Sequence, residues 1–361
     1  MVDVGKRFGG ALLAALLTAA VAGCGGNNAA GPSAGEGASG GAGGTKKPET
    51  AKPLADPNQP VELYVVSTSG DSEESWNERF GAIIQKQFPK WTVKYVKSTK
   101  EYGVKEMIAA NAPMDLYFDS IAFMMNGLIG SNLQTDMTDL IKLAQIDLAR
   151  FEPSLVHAMK QLAGGKMYGV PVFNNNVVLY YNKDIYNKFG ASYPKDGMTW
   201  DEFTESVKTF NRSDGDKQYV GYNFSGTHML RMNQMSLPYV DEKTGKSAIN
   251  GEGWKTFNET AFIAPMVAGG YKEFFAKYNK GPYTPEFFQT QQSATFALLS
   301  SSMLIDKGFE TLNWDLVALP TFKELPGVGS QGYPTYFSVT SNSRHKNEAM
   351  EVINYLVSEE A

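Results

Sequence analysis

The sequence predicts an α/β fold in two lobes, and three observations carry that expectation. From Val61 onward, short extended runs alternate with stretches of helical apolar periodicity, the pattern of a parallel sheet with helices on its faces. The chain has 361 residues, above the usual size of one domain, so two compact bodies are the first expectation. Hydrophobic residues make up 42 % and charged residues 20 %, the balance of an ordinary globular chain able to fill its cores.

The N-terminal stretch has a different character. Lys6 and Arg7 precede an apolar run from Ala11 to Ala22, which is shorter than the roughly 20 residues a membrane span needs. The run closes on Val21-Ala22-Gly23-Cys24, which resembles the lipobox of bacterial lipoproteins. The resemblance implies that residues 1–23 are a removed export signal and that Cys24, the chain's single cysteine, carries lipid. Acyl chains contribute about 0.8 kcal/mol per buried methylene, enough to hold a body at a membrane surface. Residues 24–60 then read as a leash. Gly25–Gly44 offers no large apolar side chain to offset ordering entropy, and Pro48, Pro53, Pro57 and Pro60 stiffen the remainder of it.

The ordered part begins with a strand at Val61–Val66 and a turn of small polar residues, Ser67–Asp71. Trp76, Phe80, Ile83, Ile84 and Phe88 share one face of the next helix. Trp91–Lys97 alternates as a second strand, Tyr102–Ala112 reads as helix, and Met114–Phe118 as a third strand. Gly164-Gly165 turns the chain into two extended runs that flank the asparagines Asn174, Asn175 and Asn176. Thr199 and Glu202 form the capping box of a helix continuing through Phe203, Val207 and Phe210. Trp314–Thr321 is another extended run, Tyr336–Thr340 a strand, and Asn347–Val357 a helix with Met350, Ile353 and Leu356 on one face. In a parallel sheet ligands sit at the carboxyl ends of strands, which points to Ser67–Asp71 and to Asp119-Ser120.

Several function classes are disfavoured. A formal charge of -5 gives no basic face for nucleic acid. One cysteine and three histidines cannot build an intramolecular disulfide, a zinc finger or an iron–sulfur centre, so neither metal nor cofactor is expected. Gly327-Val-Gly-Ser-Gln-Gly332 fits a dinucleotide pattern, but it follows Pro326 and leads into a strand, where no helix amides could cradle phosphate. Asp241–Lys246 reads as a hairpin turn rather than a phosphate loop, and His157, His228 and His345 are too widely spaced for a metal motif. No nucleophile elbow is present, so no catalytic residue is assigned.

The block GKMYGVPVFNNNVVLYYNKDIYNKFG, followed by MTWDEF, resembles the bacterial extracellular solute-binding proteins of ABC importers, the group that includes the maltose-binding protein. FALLSSSMLIDKG, NWDLVALPTF and SRHKNEAMEVINYLVSEE match the same family in order, so the resemblance covers Val61 to the end. It implies a two-lobed periplasmic-binding-protein-like fold with a hinge and an interlobe cleft. Lobe one would take residues 61–171 plus 320–361 and lobe two residues 172–319, with crossings at Val172–Val178 and Trp314–Thr321. The family chain normally continues and returns to lobe two, which leaves open whether Ala361 is a natural end.

By the same resemblance Phe309 stands where a sugar-stacking aromatic follows Ser302-Met303, Asp119 at a ligand-facing position, and Asn175 at a polar ligand contact. Ser69 and Asp71 join them from the first loop, with Phe224 and Tyr333 beside glycines at expected loop ends. Aromatic residues are 12 % of the chain, and sugar rings ask for flat aromatics plus neutral or acidic hydrogen-bonding groups. The expected function is capture of a sugar or oligosaccharide by hinge closure and delivery to ABC permease subunits, by a monomer lipid-anchored at the outer face of the cell membrane. The alternatives are a peptide, polyamine or organic anion as solute, a glycan-degrading enzyme, and a ligand sensor for a membrane receptor.

Overall fold

Residues 53–69 and 71–361 are described in the computed structural model; Cys24, the export signal and most of the leash lie outside them. The strands along the chain are β1 (Val61–Ser67), β2 (Trp91–Lys97), β3 (Leu116–Ser120), β4 (Val170–Asn175), β5 (Val177–Asn182), the two-residue pair β6 (Ser213–Asp214) and β7 (Lys217–Gln218), β8 (Val220–Phe224), β9 (Ser293–Leu299), β10 (Trp314–Ala318) and β11 (Tyr333–Val339). They form two main sheets, ordered β2-β1-β3-β11-β4 and β10-β5-β9-β8. In the first, β1 runs parallel to β2 and β3, and β11 is inserted antiparallel between β3 and β4. In the second, β8 and β9 are parallel while β5 is antiparallel to both neighbours. The fold is thus mixed α/β. Parallel pairing follows local βαβ succession, and the antiparallel strands are those the chain reaches by returning from the other lobe.

Each sheet has its own core. Leu63, Val65, Leu116, Phe118, Phe337 and Ile353 are buried around the first, and Leu179, Trp200, Phe203, Tyr222 and Phe257 beside the second. The capping box forms as expected: Thr199 accepts from the Glu202 amide at 3.2 Å, and the Glu202 carboxylate accepts from the Thr199 amide at 2.7 Å. That cap starts the helix Trp200–Val207, which buries Trp200, Phe203 and Val207. Asp241–Lys246 is a hairpin turn closed by its backbone at 2.8 Å. Gly327–Gly332 is a loop running into β11 and opens no helix.

The boundaries differ from expectation in three places. Residues 53–60 are not free leash: Leu54 and Ala55 pack on the first core, and the Leu54 amide donates to the Glu351 carboxylate. Residues 172–175 stay in the first sheet, because β4 pairs with β11 as far as Asn175. The run Trp314–Ala318 is no crossing, since it pairs antiparallel with β5 as an edge strand. Leu319 and Phe322 then bury themselves in the second core, and the crossing comes at Ser330–Tyr333, where Gln331 still bonds to Met232 and Asn233. Among the described residues no helix is long and apolar enough to cross a membrane.

Candidate functional site

The two sheets present equivalent ends to a common cleft of about 450 Å³. From the first come Ser69 and Asp71 after β1, Asp119 and Ser120 at the end of β3, Asn175 at the end of β4, and Tyr333 and Thr335 at the start of antiparallel β11. From the second come Ser225, Thr227, His228 and Arg231 after β8, and Leu299 and Ser301 at the end of β9 and just beyond it. Strand ends leave backbone and short polar side chains unpaired by any ladder, and this is where open α/β sheets hold ligands. The volume lies in the range of small-molecule sites.

Asp119 is almost fully buried. One of its oxygens accepts from the Thr68 amide at 3.1 Å, the Thr68 hydroxyl and the Tyr117 hydroxyl at 3.0 Å, and the other from the Ser120 amide at 3.0 Å. Burial raises its pKa above the ordinary aspartate value, and these four donors, Thr68 foremost, hold the rise back. Gly127 makes the arrangement possible, because any side chain there would collide with the Tyr117 hydroxyl. Asp71 pairs with Arg79 at 2.7 Å, both mostly buried. Arg79 lies in a π-helical turn, Asn77–Gly81, within the helical stretch 73–87, and its guanidinium also rests over Phe80 at 4.8 Å and Phe173 at 5.8 Å. A π turn inserts one residue and rotates the face beyond it, a distortion found often at functional sites.

Asn175 ties the lobes together. Its amide nitrogen donates to the Ser301 hydroxyl at 2.8 Å, while its oxygen accepts from the Ser301 amide at 2.9 Å and the Ser300 hydroxyl at 3.0 Å. Tyr333 is largely buried, with its hydroxyl 3.4 Å from Arg231 and its ring edge-on to His228. His228 shares a 2.8 Å hydrogen bond with the Ser225 hydroxyl, and burial, with Arg231 nearby, lowers its pKa below the usual histidine value. Two half-exposed aromatics complete the lining: Phe123 from lobe one, with Arg231 over its ring at 5.5 Å, and Tyr283 from lobe two.

Ser69, Asp71, Asp119, Asn175 and Tyr333 are therefore brought together, and Phe224 and Phe309 are not. Phe309 is buried among Tyr180, Phe288 and Trp314, whose ring centres each lie 4.7 Å from its own, and its carbonyl accepts from the Trp314 indole at 3.0 Å. No face of its ring is left for a sugar. Phe224 stacks on Tyr222 at 5.1 Å and against Phe262 at 4.7 Å, and its neighbour Ser225 reaches the cleft instead. Sequence reasoning missed Arg79, Phe123, His228, Arg231 and Tyr283. The one available signal was the position of His228 and Arg231 just after the strand that ends at Phe224. Among the described residues no group of three or more His, Cys, Asp or Glu side chains could hold a metal ion.

Residues 69–361 match the family model described as bacterial extracellular solute-binding protein. The chain belongs to that family. This solute-binding protein is 26 % identical over 185 residues to a probable ABC transporter-binding protein of Deinococcus radiodurans, covering 49 % of this chain and 42 % of that one. It is 27 % identical over 186 residues to the arabinooligosaccharide-binding protein of Bacillus subtilis, covering 48 % and 41 %. The matched part is thus under half the length of either curated relative. Among solved structures it resembles an ABC substrate-binding protein of Listeria monocytogenes in complex with cycloalternan, with a TM-score of 0.63, 18 % identity and coverage of 84 % and 76 %. That likeness shows the two-lobed fold.

Proposed function

We propose that this solute-binding protein captures a sugar or oligosaccharide in the cleft and hands it to an ABC permease. The observation that carries the reading is the lining itself, in which half-exposed Phe123 and Tyr283 share one groove with Ser69, Ser120, Ser225, Thr227 and Thr335. Flat rings suit the C–H faces of a sugar and hydroxyls suit its edges. Closure results when a solute touches both lobes, because the closed form gains contacts the open form lacks. Binding without catalysis is supported by the state of the two cleft carboxylates, since Asp71 is paired to Arg79 and Asp119 is held by four donors. The relatives support the saccharide class: one is named for arabinooligosaccharide, and a structural neighbour holds cycloalternan. Lipid on Cys24 would place the protein at the outer face of the membrane, the location in keeping with its extracellular family.

The test is calorimetric titration of the purified chain with a saccharide panel, followed by chromatography of the recovered ligand. A saccharide bound near micromolar affinity, about -8 kcal/mol, and recovered unaltered is the expected result. Steady product formation, or binding of peptides or polyamines with indifference to every saccharide, overturns the reading. For the anchor, Cys24→Ala should release the protein from membranes or leave it unprocessed, and normal retention contradicts lipidation.

A further inference from the structure

The cleft holds two guanidinium groups, one from each lobe. Arg79 is mostly buried in the lobe-one wall and, among the described residues, gives a single side-chain hydrogen bond, from Nη1 to Asp71. A guanidinium has five N–H donors in a fixed fork, so most of its donor capacity is left for whatever fills the cleft. Arg231 sits on the facing wall over Phe123, and among the described residues it has no carboxylate within ion-pair distance; its one hydrogen bond is a long 3.4 Å contact to the Tyr333 hydroxyl. Neither acid of the cleft pairs with it: Asp71 is engaged by Arg79, and Asp119 is enclosed by Thr68, Tyr117 and Ser120. The four charges of the groove balance in number, but Arg231 is left as an exposed guanidinium with no carboxylate partner among the described residues, beside an aromatic ring and a row of hydroxyls.

We infer that the solute is an acidic saccharide, one sugar unit of which bears a carboxylate held by Arg231 and the free donors of Arg79. The inference rests on the saccharide reading above and narrows it. A planar guanidinium matches a carboxylate in bidentate geometry, and a charge-assisted pair is about twice as strong as a neutral hydrogen bond. Ring stacking on Phe123 next to Arg231 would place a pyranose and its C6 carboxylate on adjacent groups. A neutral oligosaccharide would leave the Arg231 charge without a counter-ion as the lobes close and water is expelled.

The experiment compares digalacturonate and cellobiouronate with their neutral counterparts galactobiose and cellobiose, by calorimetry on the full chain and on Arg231→Gln. An acidic sugar should bind at least tenfold tighter than its neutral counterpart, more weakly as salt is raised, and should lose roughly 10- to 100-fold in Arg231→Gln, a loss at least tenfold larger than that of any neutral sugar bound. Neutral sugars bound as tightly as acidic ones, or acidic binding indifferent to Arg231→Gln, overturn the inference and leave the saccharide reading standing. A small dicarboxylate such as succinate binding where all four sugars fail overturns the saccharide reading itself, and failure of every probe counts against both.

Discussion

Replacing Asn175 by Ala should loosen the joint between the lobes more than any other single change in the cleft wall. The amide is 6 % exposed and makes three hydrogen bonds, of 2.8, 2.9 and 3.0 Å, from the last residue of β4 to Ser300 and Ser301 beyond β9. Each such bond contributes about 1 kcal/mol net, and a buried donor left without a partner costs more than that average. Truncation strands the Ser301 amide and frees two hydroxyls, so the expected loss is about 3 kcal/mol. For a body of this size that lowers the melting temperature by about 4–5 °C. Asn175→Asp keeps an acceptor for the Ser301 amide and the Ser300 hydroxyl and lets the Ser301 hydroxyl turn round to donate, so it should lose only about 1 kcal/mol. Scanning calorimetry on the two variants reads the difference directly. Equal melting temperatures for Asn175→Ala and the unmodified chain would refute the reasoning, because the three bonds would then contribute nothing that water does not replace.

Phe309→Ala should act on stability rather than on recognition. Removing a buried ring costs about 3–5 kcal/mol, and saccharide affinity should change little in the folded fraction, as melting curves and titration would show. The Lys307–Glu74 pair joins the lobes at 2.7 Å, but both side chains are about two-thirds exposed, so Lys307→Ala should alter affinity less than about fivefold by calorimetry. Asp119 should titrate above its ordinary value of 3.8, and Thr68→Val should move it higher still by removing the donor that most opposes the rise; NMR of the carboxyl carbon measures both. A raised aspartate means the folded state binds the proton more tightly, so this group's contribution to stability falls as pH rises from 3.8 through the folded midpoint and is level above it.

The parts of the fold that chemistry encodes locally were legible. A threonine followed three residues on by a glutamate caps a helix wherever it sits, and Gly164 and Gly165, with φ of 61° and 92°, turn the chain where few other residues could. What the sequence hid depends on distant partners. Trp314–Ala318 is extended in either reading, and only its pairing with Asn182–Val178, more than 130 residues earlier in the chain, makes it an edge strand of lobe two instead of a crossing. β11 likewise shows by its composition that it is a strand but not that it enters antiparallel between β3 and β4.

The same distinction divides the site. Ser69, Asp71, Asp119, Asn175 and Tyr333 all stand at or near a strand end, and a strand end can be read from alternation without knowing what lies opposite. Arg79, Phe123 and Arg231 stand on helices, where a side chain reaches the cleft only if the packed face and the local helical register send it there. For Arg79 that register is altered by the π turn at Asn77–Gly81, which no apolar periodicity announces. Phe309 fails in the opposite sense, because an aromatic ring satisfies Tyr180, Phe288 and Trp314 as well as it would satisfy a sugar. Its choice between them is made by residues 129 positions upstream and 5 downstream. The acidic candidates were visible at strand ends, while the arginine that pairs with one of them and the arginine that has no carboxylate partner among the described residues were carried in by tertiary structure.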